Sequence, residues 1–359
     1  MKKIVLTGGG TAGHVTPNIA LIPALKEAGY EISYIGSYDG IEKKLIEEQG
    51  IPYYGISSGK FRRDKSPKSI AKNLTDPARI IKGLSQARRL LAQIGPDIVF
   101  SKGGYVSVPV VIAADRAHIP VIIHESDMTP GLANRLSLPH AVKVCTNFPE
   151  TAAMISGDKG ILTGCPIRAE LLTGDRATGL AYAGLSGTKP VLMIIGGSLG
   201  ALHVNEAIRR ILPALTERYE IIHICGKGKT DEAAKDIPGY IQFEYVGPEL
   251  KDLFAAADLV VSRAGANVIC ELLAMKKPNL LIPLPAAASR GDQILNANSF
   301  KSQGYSMVLE EENMNDETLL AAINALYENR GDYIHAMDGS VLKDATQTIV
   351  SLIGEYSAD

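Results

Sequence analysis

Disulfides, membrane spans and a dominant charge are all missing from this sequence. Its 359 residues contain four cysteines, Cys145, Cys165, Cys225 and Cys270, spaced too far apart for any Cys-x-x-Cys pair. That excludes a disulfide-stapled scaffold and reads as buried thiols in a reducing compartment. No stretch approaches the ~18 to 20 apolar residues that span a bilayer. Before the first glycines the chain offers only Ile4, Val5 and Leu6, too few for a signal-peptide core, so it opens on a strand and any membrane contact is expected to be peripheral. A net charge of -2, with 21% charged and 46% hydrophobic residues, points away from both a nucleic-acid binder and a disordered chain. Single cores rarely grow beyond roughly 250 to 300 residues, so 359 residues are expected to fold as two domains.

What is present is alternation. Short apolar runs at residues 4–6, 31–35, 98–100, 121–123, 143–145 and 160–162 are separated by helical spacing or by Gly and Pro. A second series at residues 190–195, 219–225, 242–245, 259–261 and 279–282 repeats the opening move. Strand and helix in alternation imply parallel sheets. The expected fold class is α/β, with two Rossmann-like, doubly wound domains facing across a cleft. Residues 1–165 form the first domain, 166–340 the second, and 341–359 a terminal helix whose packing the sequence leaves open.

Ligands of such sheets sit beyond the carboxyl ends of the strands, where glycine turns let the backbone approach them. Gly8-Gly-Gly-Thr-Ala-Gly-His14 follows the first strand, yet its glycine spacing is loose and no acidic residue closes the second strand near residue 35. A nicotinamide enzyme is therefore disfavoured, and a phosphate or sugar cradle is favoured. His14 stands at a helix start, where the dipole keeps an imidazole neutral, as a general base requires. Ser101-Lys-Gly-Gly-Tyr105 adds a glycine turn on the same edge, with Tyr105 readable equally as a buried ring. In the second half, Gly196, Gly197 and Ser198 are the strongest diphosphate candidates, and a plain Ser N-cap shares their geometry. Arg263 precedes the helix carrying Glu271, so unpaired amides, dipole and guanidinium gather at one point while a carboxylate faces vicinal hydroxyls.

Six motifs in order, Gly9-Gly-Thr-Ala-Gly-His14, Gly103-Gly-Tyr-Val-Ser107, His124-Glu-Ser-Asp-Met-Thr-Pro-Gly-Leu-Ala-Asn134, Gly196-Gly-Ser-Leu-Gly-Ala201, Ser262-Arg-Ala-Gly-Ala266 with Glu271, and Gln293-x-x-Asn296, together resemble the MurG family. Its members are bacterial N-acetylglucosaminyltransferases that convert lipid I to lipid II in peptidoglycan synthesis. The resemblance implies the GT-B fold, with UDP-N-acetylglucosamine held mainly by the second domain. It implies that Gly197 and Ser198 meet the diphosphate, that Arg263 and Arg168 add contacts to the donor, and that Val246 meets uracil through its backbone. Glu271 would take the ribose, Gln293 and Asn296 the sugar hydroxyls, and Thr11, Ala12 and Gly13 would approach sugar and phosphates from the first domain. Gly103, Gly104, Tyr105 and Asn134 would serve the acceptor. Three positions depart from the family pattern: Ala12 replaces a glycine, Asp127 an asparagine, and Gly291-Asp292 a His or Gln.

The implied chemistry is an inverting displacement in which the muramyl C4 hydroxyl of undecaprenyl-linked MurNAc-pentapeptide attacks, UDP leaves, and His14 takes the proton. No cofactor and no metal is expected, in keeping with the lack of an Asp-x-Asp motif. Residues 60–91 carry Lys60, Arg62, Arg63, Lys65, Lys68, Lys72, Arg79, Lys82, Arg88 and Arg89 against Asp64 and Asp76. This local excess of eight, interleaved with Ile70, Leu74, Ile80, Ile81, Leu84, Leu90 and Leu91, fits an anionic membrane surface. The expected location is the cytoplasmic face of the cell membrane. Competing expectations are another GT-B UDP-sugar transferase with a different lipid acceptor, a nucleotide-sugar epimerase, and a sugar-binding protein without catalysis.

Overall fold

The computed structural model describes residues 1–59, 67–196, 201–286, 291–340, 342 and 345–357, with residues 67–77 described for their backbone alone. The chain divides into two compact units, Met1–Arg168 with Asp344–Asp359, and Ala169–Lys343. Each is a doubly wound parallel α/β fold, as the alternation implies.

Unit 1 holds seven strands: β1 (Lys3–Thr7), β2 (Glu31–Ser37), β3 (Tyr53–Ile56), β4 (Ile98–Ser101), β5 (Val121–Glu125), β6 (Lys143–Thr146) and β7 (Gly160–Leu162). They lie in the order β3-β2-β1-β4-β5-β6-β7, all neighbours parallel. Leu6 pairs with Tyr34 on one side and Phe100 on the other. Successive side chains of β1 enter opposite cores. Ile4 and Leu6 pack with Leu21 and Leu25 of helix Thr16–Glu27, whereas Val5 packs with Ala87 and Leu91 of helix Pro67–Ile94 and Val110 of helix Ser107–Arg116. Strands covered on both faces read as continuous apolar runs, which is why they stand out in the sequence.

Unit 2 holds β8 (Val191–Ile195), β9 (Glu220–Ile224), β10 (Tyr240–Phe243), β11 (Leu259–Ser262), β12 (Asn279–Leu281) and β13 (Met307–Val308), ordered β10-β9-β8-β11-β12-β13. Leu192, Ile194, Leu259 and Val261 face a core shared with helices Leu202–Arg210, Leu212–Arg218 and Asp316–Glu328. Within it runs a polar chain: the Tyr240 hydroxyl meets His223 Nδ1 at 2.8 Å, and His223 Nε2 meets Asn205 Oδ1 at 3.0 Å. Burial lowers the His223 pKa to about 3, so the imidazole stays neutral and links strand to helix.

The sheet order reverses between β1 and β4 in unit 1 and between β8 and β11 in unit 2. Loops leaving neighbouring strands in opposite directions open a crevice at such a switch point. The loops after β1 and β4, and those after β8 and β11, are therefore where each unit is built to hold a ligand. They carry the glycine motifs.

Two strands, β3 and β13, were not among the sequence expectations; both are short and half-buried. Helix Ala345–Tyr356 returns to unit 1, where Ile349 and Ile353 complete the core around Ile4, Leu21 and Leu25. Tyr30 and Ser357 are joined by a 2.6 Å hydrogen bond. All four cysteines are free and buried. Among the described residues no helix is long and apolar enough to cross a membrane. Since Ile353 is 0% exposed, Ile353→Ala is expected to destabilise unit 1 by ~2 to 5 kcal/mol through lost burial and a cavity, read as an earlier midpoint in urea unfolding.

Candidate active site

In unit 1 two turns interlock at the switch point. Gly10 and Gly104 both have φ of +87°, in the left-handed region that favours glycine. A Cβ on Gly104 would lie 2.2 Å from the Gly9 carbonyl oxygen, and one on Gly10 would lie 2.6 Å from the Tyr105 ring. The Gly9 amide donates to the Gly103 carbonyl at 3.3 Å. Side chains would hold these two turns apart.

Beyond Gly10 the backbone makes a short turn, Ala12–His14, before helix Thr16–Glu27. The Thr11 hydroxyl and His14 Nδ1 are 3.0 Å apart on the exposed side of that turn. A base at His14 requires the tautomer in which Nδ1–H donates to Thr11 and Nε2 carries the lone pair. Thr11 and Gly13 are exposed, and Ala12 and His14 half-buried.

Behind the second turn lie groups that motif reading did not single out. Lys102 is 1% exposed, and its Nζ donates to His124 Nδ1 at 2.6 Å, to Ser126 Oγ, and to Cys165 Sγ at 3.8 Å. His124 Nε2–H donates to the Gly164 carbonyl at 2.9 Å. Burial, and then the Lys102 charge, hold the His124 pKa well below the ordinary histidine range. Glu125, on the opposite face of β5, accepts from Asp127 N at 3.0 Å, Gly131 N at 3.0 Å and Asn134 Nδ2 at 2.9 Å. Burial pushes its carboxyl up, against these hydrogen bonds. Asn134 also donates to the His124 carbonyl at 3.1 Å, and its Oδ1 is buried with no hydrogen-bond partner, against Gly103. Gly103, Gly104 and Tyr105 thus pack against Gly9 and Gly10, just before the His14 turn, with Asn134 behind Gly103. Arg168 is the last residue of the unit's first segment and is half-buried.

In unit 2, Gly197 and Ser198 lie outside the described residues. β11 runs into Arg263, Ala264 and Gly265, and helix Ala266–Ala274 starts there with Gly265 as its cap. Glu271 stands half-buried on the second turn of that helix. Arg263, expected to show its charge to a diphosphate, turns into the unit. It is 8% exposed and donates to the carbonyls of Ile282 at 3.1 Å and Pro283 at 3.3 Å, and it pairs with Glu311. Burial raises the Glu311 pKa, but hydrogen bonds from His203, at 2.7 Å, and from Arg263 outweigh it and keep the carboxylate ionised.

Gln293 and Asn296, on helix Asp292–Ser302, brace the same loops. Gln293 Oε1 accepts the Leu284 amide at 3.1 Å, and Asn296, 0% exposed, donates to the Ala264 carbonyl at 3.3 Å. Val246 is buried in the loop between β10 and helix Leu250–Ala256, beside Tyr245, which is 79% exposed. The local chemistry is an anion-accepting helix start flanked by a carboxylate suited to hydroxyls. Among the described residues no group of three His, Cys, Asp or Glu side chains is placed to hold a metal ion.

Known proteins resemble the chain along its whole length. The Glycosyltransferase family 28 N-terminal domain matches residues 4–146 and the family's C-terminal domain matches residues 191–352. A protein of Lachnospira eligens, a UDP-N-acetylglucosamine--N-acetylmuramyl-(pentapeptide) pyrophosphoryl-undecaprenol N-acetylglucosamine transferase, is 62% identical over 99% of this chain and 100% of its own length. A protein of the same name from Lachnoclostridium phytofermentans is 60% identical over 99% of each chain. The crystal structure of MurG from Acinetobacter baumannii superposes with a TM-score of 0.75 at 26% identity, covering 99% of this chain and 100% of that one. The resemblance drawn from the motifs is borne out, and with it the GT-B fold.

The Lys102–His124 contact carries a pH consequence. With its pKa depressed in the fold, His124 refuses a proton that the unfolded chain binds below about pH 6.5. Its contribution to stability is therefore complete above that pH and is lost as pH falls from there toward the folded value. NMR of the imidazole is expected to show a neutral ring, protonated at Nε2, still at pH 5; an imidazolium signal at that pH would contradict the geometry.

Proposed function

The chain belongs to glycosyltransferase family 28, and from that membership we propose its reaction: transfer of N-acetylglucosamine from UDP-N-acetylglucosamine to lipid I, giving lipid II for peptidoglycan synthesis. It is a UDP-N-acetylglucosamine-dependent glycosyltransferase. The observation that carries this is identity of 62% and 60%, over 99% of this chain, with transferases of that name.

The chemistry follows from what the reaction demands. The muramyl C4 hydroxyl oxygen attacks the anomeric carbon, the bond from that carbon to the diphosphate breaks with inversion, and UDP departs. The hydroxyl proton must leave as the new bond forms. His14, on the turn after β1 with Thr11 at its Nδ1, is the base we assign. Thr11, Ala12 and Gly13 belong to the donor's approach, and Gly103, Gly104, Tyr105 and Asn134 to the acceptor. The buried Asn134 Oδ1 supports a polar partner there.

The departing diphosphate needs positive potential. With the Arg263 charge balanced by Glu311, we assign the larger share to amide dipoles at the start of helix Ala266–Ala274, and we assign Gly197, Ser198 and Arg168 to the donor as well. We assign Val246 to uracil and Glu271 to the ribose. We assign Gln293 and Asn296 to the sugar, beside the loops they brace.

Lipid I is a membrane substrate, and a peripheral approach at the cytoplasmic face of the membrane fits helix Pro67–Ile94. There Ile80 and Ile81 are 40% and 70% exposed amid exposed Arg79, Lys82, Arg88 and Arg89. Of the remaining cations in the stretch, Lys60, Arg62, Arg63 and Lys65 lie outside the described residues, as do the side chains of Lys68 and Lys72.

Incubation with UDP-N-acetylglucosamine and a lipid I analogue is expected to yield the β-1,4 disaccharide, with UDP-galactose a poor donor. Donor hydrolysis without disaccharide would reject the reaction. His14→Ala is expected to lower kcat by about 10²- to 10⁴-fold with UDP affinity unchanged; full turnover in the mutant would remove His14 from the base role. Vesicles rich in anionic lipid are expected to sediment the protein and salt to release it, and equal binding to neutral vesicles would count against the basic helix.

A further inference from the structure

A fully buried carboxylate lies beneath the first glycine turn. Glu42 is the second residue of helix Ile41–Glu47 and is 0% exposed. Its Oε2 accepts the Gly10 amide at 3.2 Å, and its Oε1 accepts the Ser37 amide at 3.0 Å and the Ser37 hydroxyl at 2.5 Å. Among the described residues no Lys, Arg or His forms an ion pair with it. A buried carboxylate is costly unless donors surround it, and here the donors are neutral, one of them the backbone of the turn itself.

The fit is close. A Cβ on Gly9 would fall 2.5 Å from the Glu42 carboxyl, and one on Gly40 would fall 2.2 Å from it. Tyr53 closes the site from the side, donating to the Ser37 carbonyl at 2.5 Å, and burial together with the nearby Glu42 charge raises its pKa. One residue beyond Gly10, Thr11 meets His14 at 3.0 Å. A hydrogen bond to a charged acceptor is stronger than a neutral one, so the carboxylate holds Gly10 and the turn that follows it.

We propose that Glu42 is a positioning residue for the transfer reaction, its carboxylate clamping the turn that aims His14 at the acceptor hydroxyl. The proposal rests on His14 being the base. Glu42 touches no substrate; it acts by holding the backbone at Gly10. Replacing the carboxylate with an amide keeps the volume but sets an NH2 group against amide and hydroxyl donors. The turn must then shift, and a displacement near 1 Å at a reacting group costs about 100-fold in rate.

The test is Glu42→Gln in the full-length enzyme, measured beside His14→Ala and the double variant. In Glu42→Gln, kcat is expected to fall about 10- to 100-fold while KM for UDP-N-acetylglucosamine stays near that of the parent and the thermal midpoint drops only modestly. Hydrogen exchange at the Gly10 amide should quicken. The double variant should be no slower than His14→Ala alone, because both changes act on one step. If His14→Ala is inactive and Glu42→Gln turns over normally, the clamp is wrong while the base stands; if His14→Ala is fully active, the base assignment falls and the clamp with it. A Glu42→Gln enzyme that loses stability and rate together, with unchanged Gly10 exchange, would also overturn the proposal. Should that variant not fold, Glu42→Asp, which keeps the charge but withdraws it by one methylene, takes the same readouts.

Discussion

Unit 1 depends on two backbones coming closer than side chains permit. Gly9 and Gly103 share a hydrogen bond, and Gly104 approaches the Gly9 carbonyl so nearly that no Cβ fits between them. From that one approach the rest follows. Tyr105 covers Gly10, Asn134 is pressed against Gly103, and the Thr11–His14 pair is carried at a fixed place beyond the end of β1. The hydrogen bonds within this layer are ordinary in strength. What makes the arrangement specific is that it excludes every residue but glycine at its centre.

Charge is handled differently in the two units. Unit 1 buries Lys102 beside a neutral histidine and buries Glu125 and Glu42 among amide and hydroxyl donors. Unit 2 buries Arg263 against Glu311 and two carbonyls. In each case the buried group holds a loop at the carboxyl end of a strand. A charge committed in this way costs little to reorganise when a ligand arrives, because its dipoles and donors already point the right way. The price in desolvation is met by hydrogen bonds that also fix the loops.

Much of this was legible in the sequence, for a physical reason. Strands such as β1, β8 and β11 are covered on both faces and appear as unbroken apolar runs, while the glycine turns that follow them announce a close approach. β3 and β13 escaped notice because edge strands need little burial: β3 mixes two tyrosines with a glycine, and β13 is two residues long. Glu42 was invisible. In Ile41-Glu-Lys-Lys-Leu-Ile-Glu-Glu48 a carboxylate reads as one more solvated charge, and only the tertiary fold shows that it alone of these three acids is fully enclosed. Lys102, within a glycine turn, looks like surface for the same reason. Arg263 shows the converse limit, since local sequence marked a cation at a helix start but not the distant Glu311 that turns it inward. The family motifs, being local, were legible; the supports beneath them are not local, and so were not.

Helix Ala345–Tyr356 has an implication for synthesis on the ribosome. Because its apolar face belongs to the core built by Ile4, Leu21 and Leu25, the unit that is translated first is the one that closes last. Ala169–Lys343 is an insertion with both its ends anchored in the other fold, and it can finish its own core while the nascent amino-terminal sheet still waits for its cover. The amino-terminal core therefore stays incomplete until the last helix has been made.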